Sequence, residues 1–196
     1  MAARAILLER TYLNERDYSG MVKLQRADAG SVSEFKAALQ DSFRIAAEAD
    51  SGEPLEEPIP SDADIEQAIA ATGAATYWIV ADDQRVGGAV VVIDEISNQN
   101  ALSFFFISTS RQSRGLGLQA WKAIEKAYLN TKSWETVTPY FEKRNIHFYV
   151  NRCGFKIVEF FNKFNPDPNQ IPPPADQQGD VDDMFRFVKS MDAESA

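Results

Sequence analysis

The chain has 196 residues, 44 % of them apolar and 25 % charged, with 29 acids against 20 Lys and Arg. That length suits one domain with its own core, and the composition excludes a mostly disordered chain, a collagen-like fibre and a coiled-coil rod. No run approaches 18 uncharged apolar residues, so no membrane span is expected; charge interrupts the opening apolar run too early for a secretory signal.

Residues 1–20 read as an N-terminal extension of unassigned role, followed by a single domain over 21–191. Met21-Val-Lys-Leu-Gln-Arg26 is the expected first strand. Val32, Phe35, Leu39, Phe43 and Ala46 recur at helical spacing, which predicts an amphipathic helix over 31–47. Residues 48–66 hold eight acids, no base and three prolines, a loop composition. Ser61 and Asp62 are placed to cap a short helix over 64–72. Residues 76–81 and 86–93, rich in β-branched and aromatic side chains, predict a hairpin turned by Asp82-Asp83-Gln84. A strand over 102–108 follows, then a helix over 117–130 with Leu118, Trp121, Ile124 and Tyr128 on one face. Residues 134–140 form a strand, and 144–152 a short helix stopped by Cys153-Gly154. The last strands fall at 155–161 and 184–191, with a Pro- and Asp-rich loop between them. The order βααβββαβαββ predicts an α/β fold.

Charge is unevenly spread. Between Ser110 and Lys156 nine Lys and Arg face three acids, whereas the rest of the chain holds 11 basic and 26 acidic residues. Such a balance argues against wrapping nucleic acid, which needs an extended basic surface, and suits a compact polyanion. The single cysteine, Cys153, excludes an intrachain disulfide and a thiolate cluster, and the single histidine, His147, excludes a multi-histidine metal site. Both read as structural or solvated side chains. The expectation is a soluble, cytoplasmic, metal-free protein.

The basic island contains the segment Ile107 to Ala120, which follows a strand and opens a helix. Gly115 and Gly117 clear side chains where backbone must approach a ligand, and the first-turn amides of the helix form an anion site. The turn is therefore built to hold phosphate. A P-loop does not fit, because G-x-x-x-x-G-K-[ST] is missing. Gly115, Gly117 and Ala120 match a dinucleotide fingerprint, but seven residues separate Ile107 from Gly115 where that motif needs a tight turn.

Gln112-Ser-Arg-Gly115-Leu-Gly117 resembles the Q/R-x-x-G-x-G/A signature of the GNAT superfamily of N-acetyltransferases. Downstream, Asn145-Ile-His-Phe-Tyr149 with Gly154-Phe155 resembles that superfamily's second motif, with Tyr149 in the tyrosine slot. The resemblance covers nearly all of 21–191. It implies a mixed, mainly antiparallel central sheet with flanking helices and one parallel crossover. It also implies acetyl-CoA as donor, no metal, and a small-molecule or side-chain primary amine as partner that attacks directly; a homodimer stays open as the assembly. By the same resemblance, the amides of Gln112, Ser113, Arg114, Gly115, Leu116, Gly117 and Leu118 would hold the pyrophosphate. The backbone of Ile107, Ser108 and Thr109 would bind the pantetheine arm, and Asn145, expected on the same helix face as Tyr149, would contact it. Tyr149 would protonate the leaving thiolate.

The chain departs from the superfamily at Phe104-Phe105-Phe106, read as core, where many members carry a glutamate. The general base is thereby left among Glu95, Glu135, Glu142 and a water. A non-catalytic acyl-CoA-binding or regulatory module is the alternative function. The acid-rich 48–66 and the loop before the last strand lead to the expectation of a cationic amine, set against acids that only confer solubility.

Overall fold

The computed structural model describes residues 22–55, 58–111, 115–168 and 183–191; the extension expected over 1–20 and most of the loop before the last strand lie outside them. Seven strands form one sheet in the order β1-β2-β3-β4-β5-β7-β6. They are β1 (Lys23–Arg26), β2 (Ala74–Ala81), β3 (Gln84–Val92), β4 (Gln99–Ile107), β5 (Ser133–Pro139), β6 (Lys156–Phe161) and β7 (Met184–Ser190). Every pairing is antiparallel except β4 with β5, so the α/β sheet with one parallel crossover is as expected.

The helices are α1 (Val32–Ser51), α2 (Asp62–Ala70), α3 (Leu116–Ala127) and α4 (Lys143–His147), which continues as a π-helical turn over Phe148–Cys153. Local chemistry sets most of these limits. Ser61 accepts from the Asp64 amide while the Asp64 carboxylate accepts from the Ser61 amide, a reciprocal cap that fixes the start of α2. Asp82 and Asp83 both adopt positive φ, 51° and 56°, the backbone of a two-residue hairpin turn. One expectation is corrected: α1 runs four residues beyond Ala47, to Ser51. The acidic composition of 48–51 is compatible with helix, and the stop comes only at Gly52, in the left-handed conformation with φ 75°, whose amide donates to Glu48.

α1 and α2 cover one face of β2, β3 and β4. There Phe35, Leu39 and Ile65 pack on Trp78, Val90 and Phe106, all buried. α3 and α4 cover the other face, burying Trp121, Ile124, Tyr149 and Cys153 against Ala75, Ala89, Leu102, Trp134 and Phe187. Phe35 is fully buried, edge-on to Trp78 at 5.2 Å and to Phe106 at 5.5 Å. Its ring occupies the space over Gly88, where a Cβ would come within 2.4 Å of it. This contact joins the first helix to the middle of the sheet. Phe35→Ala should therefore lower unfolding free energy by about 3–5 kcal/mol, measurable as a shift of the urea midpoint at unchanged slope.

Candidate active site

β4 and β5 are in register for only three residues: Gln99 with Ser133, Asn100 with Trp134, and Ala101 with Glu135. Beyond that the two strands diverge. At the vertex the Thr136 hydroxyl donates to the Leu102 carbonyl at 2.9 Å. Past it, no pairing among the described residues joins β4 to β5.

A cleft of about 620 Å³ occupies this split. β4 contributes Phe105, Phe106 and Ile107; the start of α3 contributes Gly115 to Leu118; the α4 region contributes Glu142, Arg144, Asn145, His147, Phe148 and Arg152. From the opposite face of the sheet, α1 contributes Ser42 and Phe43. The cleft thus receives walls from both faces of the sheet.

The two glycines of the turn have different structural reasons. Gly115 sits at the start of α3 with φ 73°, and nothing lies within 4 Å of where its Cβ would be. Its role is the left-handed backbone, which other residues adopt at a cost. Gly117 is needed for close approach: a Cβ there would meet the Phe148 ring at 3.3 Å, and Phe148 in turn stacks on Phe105, centroids 5.7 Å apart and 11° from parallel. Among the described residues no side chain caps α3, and the first-turn amides have no partner within the helix. Arg111 stands beside them, bonded to Gln84.

Of the expected cofactor contacts, Ile107, Gly115, Leu116, Gly117, Leu118 and Asn145 line the cleft. Ser108 and Thr109 do not line it. The Ser108 amide donates back to Val86 at 2.8 Å, and Thr109 opens a tight turn. Gln112, Ser113 and Arg114 lie outside the described residues.

Tyr149 is not on the cleft wall. It is 5 % exposed, edge-on to Phe155 at 5.5 Å, and packed on Phe187. Its hydroxyl bonds Thr136, at the vertex of the split. Asn145, Phe148 and Arg152 line the cleft, whereas Tyr149, four residues after Asn145 and about 100° round from Phe148, packs into the core. Burial first, and then the nearby Cys153 and Glu142, push the phenol well above its ordinary value of 10.0. It stays protonated.

Sequence reasoning passed over Phe105, Phe106, Phe148, Arg144, Arg152 and His147 as site residues, and Ser42 and Phe43 with them. Arg144, Phe148 and Arg152 are spaced by four, a signal for one helical face. His147, also on the cleft wall, has its Nδ1 3.0 Å from Asn151 Nδ2.

With this geometry in view, the Acetyltransferase (GNAT) family pattern matches residues 36–155. The chain belongs to the GNAT acetyltransferase family. It is 47 % identical over 173 residues to the uncharacterized protein YrkN of Bacillus subtilis, covering 87 % of this chain and 94 % of that one. The fold is similar to that of a B. subtilis acetyltransferase solved with CoA, at TM-score 0.59, 19 % identity and coverage of 88 % and 99 %. It is also similar to a chimera built on Vibrio cholerae spermidine N-acetyltransferase, at TM-score 0.60, 13 % identity and coverage of 87 % and 95 %. No helix among the described residues is long and apolar enough to cross a membrane.

Two measurements test this GNAT site. Gly117→Val should weaken acetyl-CoA binding in calorimetry by at least tenfold, because the branched side chain displaces Phe148 from Phe105. Adding Phe148→Ala should recover part of that loss, which a simple block of the phosphate site would not permit. The second concerns alkaline pH. Burial pushes the Cys153 thiol from 9.0 up to about 12, and Tyr149 is raised likewise. The unfolded chain releases these protons first, so stability is complete below pH 9 and falls as pH rises above it. Tm should decline from pH 9 to 11, and Cys153→Ala or Tyr149→Phe should make that decline shallower.

Proposed function

We propose that this chain transfers the acetyl group of acetyl-CoA to a primary amine by direct attack. The observation that supports it best is the split sheet, whose cleft is walled from both faces. A donor lying along β4 from the α3 amides and an acceptor entering beside α1 would meet at the split without an enzyme-bound acyl intermediate. The residues present fit the coenzyme: uncapped amides at Leu116 to Leu118 and the guanidinium of Arg111 suit its phosphates. The stretch of β4 past its last pair with β5 suits an amide-bearing arm. When bound, acetyl-CoA supplies an activated thioester whose carbonyl carbon accepts the amine.

Tyr149 is assigned as the general acid. Its hydroxyl sits on Thr136, one residue past the last β4–β5 pair, where an arm running down β4 would end. The phenol is kept protonated by burial, so it holds the proton a departing thiolate needs, and the Thr136 contact orients it. Cys153 stays a neutral, buried thiol, a poor nucleophile.

The acceptor is assigned as a small amine that carries positive charge. The spermidine N-acetyltransferase likeness and the acidic segment beyond α1 favour it. Part of that charge is neutralised: Lys36 holds Asp62 and Glu66 at 3.0 and 2.8 Å, and within α1 itself Arg44 holds Glu48 at 2.8 Å. The attraction for a cation is accordingly weaker than composition alone implies.

Calorimetry with acetyl-CoA should give saturable binding, and a thiol-release assay over spermidine, glucosamine and a lysine peptide should reveal turnover. Tight binding with no thiol release from any amine would favour the non-catalytic module instead. Tyr149→Phe should lower kcat by about 10²-fold with acetyl-CoA affinity unchanged; wild-type kcat in that variant would leave Tyr149 as a packing residue.

A further inference from the structure

The chain lacks an acid in the middle of β4, yet it offers three carboxylates as proton acceptors, and the fold separates them. Glu95 precedes Gln99, the first residue of β4, whereas from that strand the cleft takes Phe105, Phe106 and Ile107. From Gln99 to Phe105 the strand spans roughly 20 Å. Glu135 pairs across the sheet with Val188, on the face away from α4, and Arg186 holds its carboxylate at 2.8 and 3.2 Å. Neither carboxylate reaches the split.

Glu142 does. It is 8 % exposed and is the one acid on the cleft wall among the described residues. Its carbonyl accepts from the Ile146 amide at 3.0 Å, which ties the residue to the first turn of α4. Its charge is felt by the Tyr149 phenol and helps keep that proton in place. A buried carboxylate and a protonated phenol therefore act on each other beside the split, the arrangement that separate acid and base roles require. Arg144 and His147 on α4, Arg152 in the π-helical turn and Arg111 after β4 are the other charged or titratable groups of the cleft wall.

We infer that Glu142 is the catalytic base, the carboxylate that takes the proton from the acceptor's ammonium group. The inference rests on the acetyltransferase reading above. In the step, R–NH₃⁺ gives one proton to Glu142 and its freed lone pair forms the C–N bond with the thioester carbonyl. The C–S bond then breaks and sulfur leaves with the electron pair. Tyr149 gives its proton to sulfur and regains one from the nitrogen. The products are the N-acetyl amine and the free thiol of CoA, and Glu142 returns its proton to solvent.

The test compares wild type, Glu142→Gln and Glu142→Asp, using the best amine of the panel. At pH 7, Glu142→Gln should lose about 10²–10⁴-fold in kcat/KM, and the loss should shrink as pH approaches the amine's own pKa, where the amine arrives already deprotonated. Glu142→Asp should retain part of the activity. Calorimetric affinity for acetyl-CoA should stay within about threefold in both variants. An equal loss at every pH, wild-type turnover in Glu142→Gln, or loss of acetyl-CoA binding in that variant would each overturn the assignment. Failure of the wild type to bind acetyl-CoA or to release thiol overturns the acetyltransferase reading itself, and the assignment falls with it.

Discussion

The early parting of β4 from β5 governs the rest of this molecule. A parallel pair continued to Ile107 would leave a closed sheet with no route between its faces. Pairing instead stops at Ala101 with Glu135, and Thr136 takes the next carbonyl, that of Leu102. That bond seals the vertex, and beyond it β4 no longer pairs with β5, so a cleft at this place is a consequence of the register. The walls are held apart by packing on the α3–α4 side: Trp121 edge-on to Trp134 at 5.4 Å, and Phe148 stacked on Phe105.

Local signals carried the fold into the sequence. A capping serine with Asp64 three residues on, two aspartates between β-branched runs, and Gly154 after Cys153 each act within one turn of chain, and each marks the boundary that the structure has. The end of α1 was hidden because an acid- and proline-containing stretch looks like loop while its first residues have no bias against helix. The site was half legible for a similar reason. Gly115 and Gly117 announce an anion cradle locally, but which face of α4 meets the cleft depends on how the helix docks. A spacing of four placed Asn145 and Tyr149 together; packing on Phe155 and Phe187 turned Tyr149 inward and gave the cleft face to Phe148.

The basic island takes on a more specific meaning in the fold. Arg111, Arg144 and Arg152 stand on the cleft wall, whereas Lys122 on α3 is exposed away from it. Elsewhere the charges are largely internal to the surface. Lys189 meets Glu125 at 2.5 Å and Arg186 bridges Glu135 and Glu159. The net charge of −9 is thus the wrong guide to the site, which is cationic in an acidic protein. A polyanionic donor is favoured at one opening by these side chains and by the α3 amides together.

That division also explains how one cleft serves two unlike ligands. The wall toward α3 and α4 carries the guanidinium groups and the helix start. The wall toward α1 carries Phe43 and the Ser42 hydroxyl, which is itself bonded to the Ala38 carbonyl at 2.9 Å. Phosphate has no cationic partner on the α1 side among the lining residues, and an ammonium group has none of opposite charge except Glu142. Glu142 is thus the one described lining group that attracts an ammonium, and it stands at the start of α4, beside the guanidinium groups. The α1 wall extends over the split only because the helix continues past the residues that anchor it at Phe35 and Leu39.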